Sequence, residues 1–146
     1  MRNILVTMCL LLTTLAALPS YAAESDKPFA EERIVLQISD ADPAKQTLVL
    51  NVANNLVKHY GPDKVDVEIV AFGPGLRLMF NDNVNRGRIS GLSDSGVKFS
   101  ACKNTIAHMT KLLGEAPEIN PNATPVPAGV VRIIDLQNQG FKLIKP

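Results

Sequence analysis

Ile34-Val35-Leu36-Gln37-Ile38, followed by Ser39-Asp40-Ala41-Asp42-Pro43, is the stretch from which the fold is read. Its first half is short, nearly unbroken in apolar side chains and rich in β-branched ones. That is the pattern of a strand buried on both faces of a parallel sheet. Its second half starts a helix, with Asp42 as N-cap and Pro43 at the first helical position, where the missing N–H costs nothing. From Ala44 to Tyr60, Leu48, Val52, Leu56 and Tyr60 recur at four-residue spacing, and Val49, Ala53 and Val57 widen the stripe. An amphipathic helix is expected there, stopped by Gly61-Pro62. Val65, Val67, Ile69 and Val70-Ala71-Phe72 then form a second strand.

Beyond this unit the alternation continues. Gly73-Pro74-Gly75 reads as a turn, residues 76–80 as helical or a second short turn, and residues 81–88 as turn-rich. Residues 89–96 fit either a weak helix or an irregular loop. Val97 to Ala101 alternates as a third strand, and a helix from about Lys103 to Leu113 is closed by Gly114. Residues 115–128 hold Pro117, Pro121, Pro125 and Pro127 and are expected to form a long ordered loop or lid. Val130 to Leu136 suits a strand or a helix, and Phe141 to Ile144 a final strand. Strands alternating with helices imply an α/β layer fold with a mainly parallel sheet flanked by helices.

Toward the start of the chain the composition changes. Arg2 is followed by Ile4 to Leu18, apolar except for Thr7, Thr13 and Thr14, and then by Pro19-Ser20-Tyr21-Ala22-Ala23. A short basic region, an apolar core and small residues, in that order, predict a cleaved signal peptide over residues 1–23 and export to the periplasm or beyond. The competing reading is a retained anchor, but the apolar run falls short of the roughly 20 residues needed to cross a bilayer. Cys9 lies within the apolar core and should leave with the leader. Residues 24–146 then form one α/β domain, long enough to build a core without disulfides.

Charge and composition exclude several classes of function. Of 15 Lys and Arg, Arg2 belongs to the leader, and the remaining 14 balance 14 Asp and Glu. There is no Trp and no basic run interleaved with aromatics, so neither nucleic acid nor a membrane surface is an expected partner. Gly73-Pro74-Gly75 lacks the spacing of a nucleotide-binding loop. One cysteine and two distant histidines do not make a metal site. No cofactor and no metal are expected.

The residue left to explain is Cys102, unpaired in an oxidising compartment and set at a strand-to-helix junction. In open α/β sheets, crevices lie beyond the carboxyl ends of the strands. A thiol there faces the free N–H groups of a helix start, which favour the thiolate, and Lys103 adds a positive charge. The alternative is a buried thiol acting as a small hydrophobe. His108, six residues on, lies about 240° around a regular helix and does not return to Cys102. Asn104 and Thr105 are expected to finish the helix start beside it. Asp40, at a strand end, and Gly73 and Gly75, where a ligand could approach the backbone, are weaker candidates for ligand binding. Asp42 has a capping role, His59 reads as a favourable charge at a helix C-terminus, and Arg86 and Arg88 as a solvated turn.

The segments Gly96-Val97-Lys98-Phe99-Ser100-Ala101-Cys102-Lys103-Asn104-Thr105, Val126-Pro127-Ala128-Gly129-Val130, Leu136-Gln137-Asn138-Gln139-Gly140-Phe141 and Ile144-Lys145-Pro146 resemble the DsrE/DsrF-like proteins, in particular their exported single-domain members. Ala71-Phe72-Gly73-Pro74-Gly75-Leu76 is similar to the family's segment after its second strand. The resemblance runs from Arg33 to Pro146. It implies a Rossmann-like (flavodoxin-like) layer fold and assembly into dimers, trimers or hexamers. In some members it also implies a cysteine that carries sulfane sulfur as a persulfide. The Ala-Cys-x-Asn-Thr segment places that role on Cys102 alone. An exported chain departs from the family's cytoplasmic sulfur-relay subunits. Two functions are therefore expected to compete: a sulfur-transfer protein using the Cys102 persulfide, with a sulfur donor or acceptor protein or a small thiol as partner, and a non-catalytic homo-oligomeric module binding a small ligand or a protein. A dithiol oxidoreductase is disfavoured, since the chain has no Cys-x-x-Cys.

Overall fold

The strand–helix–strand unit read from residues 34–72 forms the centre of the sheet. A computed structural model describes residues 27–146, and the leader expected over residues 1–23, with Cys9, lies outside the described residues. β1 (Glu32–Ile38) pairs in parallel with β2 (Val65–Ala71), from Glu32 opposite Val65 to Ile38 opposite Ala71. Between them runs α1 (Pro43–Tyr60), whose first turn is capped as read: the Asp42 carboxylate accepts from the Ala44 N–H at 2.8 Å. Then come a 3-10 helix (Gly73–Met79), α2 (Arg86–Asp94), β3 (Lys98–Cys102), α3 (Lys103–Leu113), β4 (Ala123–Val126), α4 (Gly129–Asn138) and β5 (Lys142–Ile144). The five strands are all parallel, in the order β4-β3-β2-β1-β5. The fold is a Rossmann-like, flavodoxin-like α/β sheet with helices on both faces.

Two local readings change and an open one is decided. The buried side of α1 is Gln46, Val49, Leu50 and Ala53, whereas Leu48 is 44% exposed. A four-residue repeat advances about 40° per step around a helix, so the Leu48–Tyr60 row winds off the buried face at its start. The proline-rich stretch contains β4, in which Pro125 pairs with Ala101. Proline is tolerated there because β4 is an edge strand, with one side free of ladder hydrogen bonds. The rest of that stretch is pinned to the end of the 3-10 helix by Asn120 N–H to Met79 O (2.8 Å) and Asn81 N–H to Glu118 O (2.9 Å). Residues 129–138, open between strand and helix, are helical.

The faces of the sheet differ. One carries Ile34, Leu36, Val67, Ile69, Phe99 and Ala101 against Val49, Leu50 and Ala53 of α1, Ile89 and Leu92 of α2, and Met109 of α3. The 3-10 helix joins this layer through Leu76, Leu78 and Met79. It reaches the end of β1 closely enough that a Cβ on Gly75 would lie 2.5 Å from the Ile38 carbonyl oxygen. On the other face Val35 and Val70 meet Ile133, Leu136 and Phe141 in a smaller cluster around α4.

Candidate functional site: Cys102 between two helix starts

Cys102 ends β3 and is also the N-cap of α3 (φ −69°, ψ 115°). Its register partner is Val126, the last residue of β4, which leads within three residues into α4. The starts of α3 and α4 therefore converge on one sulfur at the carboxyl edge of the sheet, where open α/β folds place their sites. Only 5% of Cys102 is exposed, and that burial pushes the thiol pKa up. Hydrogen bonding to the sulfur opposes it: the Thr105 hydroxyl first, then the backbone N–H groups of Gly129, Thr105 and Asn104. The net effect holds the thiol below its ordinary value. Sγ makes no conventional capping hydrogen bond with the first-turn N–H groups of α3. What they supply is a concentration of N–H dipoles around the place where thiolate charge develops.

Each donor has a reason to be where it is. Asn104 and Thr105 lie in the first turn of α3, whose N–H groups have no intrahelical acceptor. The Thr105 Oγ1 accepts from the Gly73 N–H at 2.9 Å. That bond leaves the hydroxyl proton for the sulfur and ties the 3-10 helix to α3. Gly129 opens α4, and a Cβ there would meet Phe72 side-chain atoms at 3.0–3.3 Å. Glycine lets that turn close on Phe72 and brings its N–H to Cys102.

α4 is held over the sheet by a buried ionic anchor. Arg132 grips Glu68 with Nε–Oε1 at 2.7 Å and Nη2–Oε2 at 2.6 Å, and the Ser100 hydroxyl donates to the same Oε1 at 2.6 Å. Glu68 is 1% exposed, and the paired carboxylate raises the Arg132 pKa. Ser100 lies two residues before Cys102 on the same side of β3, so the anchor and the thiol share one face.

The sequence-predicted residues separate into two groups. Cys102, Asn104, Thr105 and Gly73 come together. Lys103 is exposed, and the groups that set the thiol pKa do not include it. Asp40 is engaged elsewhere, by Lys45 and by the Asp42 N–H at 3.1 Å. Gly75 serves the packing of the 3-10 helix on β1. His108 lies along a groove between the 3-10 helix and α3 rather than at the sulfur. His59 packs edge-on against Tyr60, and Arg88 donates to Asn51 at 2.6 Å. Sequence reasoning missed Glu68, Arg132 and the donor role of Gly129. Glu68 left a signal, since Val65-Asp66-Val67-Glu68-Ile69 alternates as a strand with one polar face, and Gly129 lies in one of the segments that carry the resemblance.

The chain matches no protein-family model and no curated protein. A solved structure, that of the protein of unknown function MTH1491 from Methanobacterium thermoautotrophicum, is similar to it. The two share 27% identity and superpose with a TM-score of 0.70 over 80% of this chain and 100% of the other.

Proposed function

We propose that the protein binds and transfers sulfane sulfur, carrying it as a persulfide on Cys102. The convergence of Thr105 and the Asn104, Thr105 and Gly129 N–H groups on one thiol carries this reading, because it favours the nucleophilic form. The resemblance of the Ala101-Cys102-Lys103-Asn104-Thr105 segment to the DsrE/DsrF-like proteins supports it. The Cys102 thiolate attacks the sulfane sulfur of a donor, a new S–S bond forms, and the donor's leaving group departs with the electron pair of the broken bond. An acceptor thiolate then attacks the outer sulfur of the persulfide and returns Cys102 as thiolate. The cycle uses no net oxidant. On this reading the mature chain is exported and acts as a homo-oligomer.

Treatment of the mature protein with polysulfide, followed by intact mass measurement, tests the proposal. Added sulfur that disappears in Cys102→Ser is expected. No addition, or addition that survives the substitution, overturns it.

A second reading is favoured by two observations, the small exposure of Cys102 and an uncovered apolar band. Val130, Val131 and Ile134 of α4, with Leu143 and Ile144 of β5, are exposed. A non-catalytic oligomeric module would use that band for assembly and keep the thiol inert. It predicts that Cys102 resists alkylation in the native protein and that Cys102→Ser keeps the oligomeric state.

A further inference from the structure

Two hollows lie side by side where α3 ends. The first, between the 3-10 helix and α3, has a volume of about 420 Å³; Arg77 and His108 line it, and no Asp or Glu does. The second, between Phe80 and the start of the proline-rich stretch, has a volume of about 490 Å³; Asp82, Glu115 and Glu118 line it, and no Lys, Arg or His does. Phe80 and Leu113 border both hollows. Glu118 already accepts from the Asn81 amide at 2.7 Å. The side chains of Arg77, His108, Asp82 and Glu115 have no partner among the described residues. Leu113, on the boundary, is 55% exposed, and Leu112 beside it is 71% exposed.

Apolar residues with unpaired cations on one side and unpaired carboxylates on the other make a self-complementary surface. A two-fold axis passing at Leu113 lays these apolar side chains against their own copies. It also sets Arg77 and His108 of one copy against Asp82 and Glu115 of the other, and the symmetry repeats that contact. A small anion would answer the first hollow but leave the second acidic and the leucines wet. A small cation would leave the first unanswered. A second copy answers both hollows and takes the leucines out of water.

We propose that this face docks a second copy of the chain in an isologous, two-fold contact. The contact supplies a surface for the homo-oligomer proposed above, and it rests on that assembly rather than on the chemistry of Cys102. α3 packs on the sheet face opposite α4, so the contact is separate from the exposed band of α4 and β5. Exposed charge pairs are screened by salt, so the association should weaken as ionic strength rises.

Sedimentation velocity of the mature protein, over a range of concentrations and at low and high salt, tests the contact. Wild type should dimerise, and dissociate more readily at high salt. Arg77→Glu should weaken the dimer about tenfold, because the symmetry counts the reversed pair twice. Glu115→Arg should do the same. Mixed in equal amounts, the two variants should associate again, since the mixed pair matches one reversed charge with the other and keeps one native Arg77–Glu115 contact. Wild type that stays monomeric at every concentration overturns both the contact and the homo-oligomer. An oligomer that both reversals leave intact overturns this contact alone and moves assembly to another surface. Reversals that dissociate the protein without recovery on mixing overturn the two-fold pairing.

Discussion

On one face of the sheet Leu36, Ile69 and Phe99 lie under α1, α2, α3 and the 3-10 helix. On the other, Val35 and Val70 share their surface with Asp66, Glu68, Lys98 and Ser100, and α4 is the helix among the described residues that packs there. The first face is held by apolar burial, which is non-directional and tolerates small shifts. The second has a smaller apolar cluster and, in addition, a bidentate ion pair, which fixes orientation as well as position. The difference bears on the site. α4 delivers the Gly129 N–H to Cys102, and a helix seated by apolar contact alone would set that N–H less definitely. The apolar face carries α3 with the Asn104 and Thr105 donors, and the ionic face adds the Gly129 N–H of α4.

Truncating the apolar face should cost most. Leu36→Ala removes a fully buried side chain and should lower the unfolding free energy by about 3–4 kcal/mol, read from urea denaturation. The Cys102 thiol pKa, from the pH dependence of alkylation of the folded protein, should not move. If it does, the two faces are not independent.

Next comes the anchor. Arg132→Met leaves Glu68 buried without its cation and should cost about 3 kcal/mol. Adding Glu68→Met should recover most of that loss, because the unpaired charge goes too. The informative reading is again the thiol: Arg132→Met should raise the Cys102 pKa by loosening α4 and the Gly129 N–H. An unchanged pKa would mean that α4 is seated by Ile133, Leu136 and Phe141 without help from the ion pair.

A smaller effect is expected at Thr105. Thr105→Val removes the hydroxyl that lowers the thiol pKa and leaves the Gly73 N–H without its acceptor. Stability should fall by about 1 kcal/mol, and alkylation of Cys102 at neutral pH should slow several-fold as its pKa rises. Alkylation at unchanged speed would show that the backbone N–H groups of the two helix starts suffice.

How far these two faces were legible in sequence follows from the range of the forces involved. Asp42-Pro43, the apolar run at 34–38 and the β-branched run at 65–72 are local signals, and each marks its element within a residue or two. β4 was hidden because Pro125 argues against a strand unless its place at the sheet edge is known. Residues 130–136 are apolar enough for either element, and only the returning connection over the sheet makes them a helix. At the site, Cys102, Asn104 and Thr105 are consecutive or nearly so and read as one motif. Gly129 and Arg132 come to it across the sheet, through pairing of β3 with β4 and the reach of α4, which no local pattern encodes. Lys103 is the converse case: adjacency in sequence puts a charge next to the thiol, yet its exposed side chain is not among the groups that shift the thiol pKa.

The smallest expected effect separates a reactive thiol from an inert one most directly. A thiol whose folded pKa lies below its unfolded value adds stability above the unfolded pKa, and that stability disappears as pH falls through the folded pKa. Wild type should therefore gain stability relative to Cys102→Ser as pH rises toward the unfolded thiol pKa. Other titrating groups change alike in both proteins and cancel in the difference of urea midpoints. A thiol held neutral by burial would give the reverse sign, with wild type losing ground as pH rises, because the unfolded chain would release its proton first. The two signs correspond to the two forces on Cys102: the donors of α3 and α4 on one side, and the desolvation of a 5% exposed sulfur on the other. If desolvation wins, the sulfur is packing, the convergence of the two helix starts is only a way of closing the sheet edge, and the apolar band on α4 and β5 becomes the surface through which the protein acts.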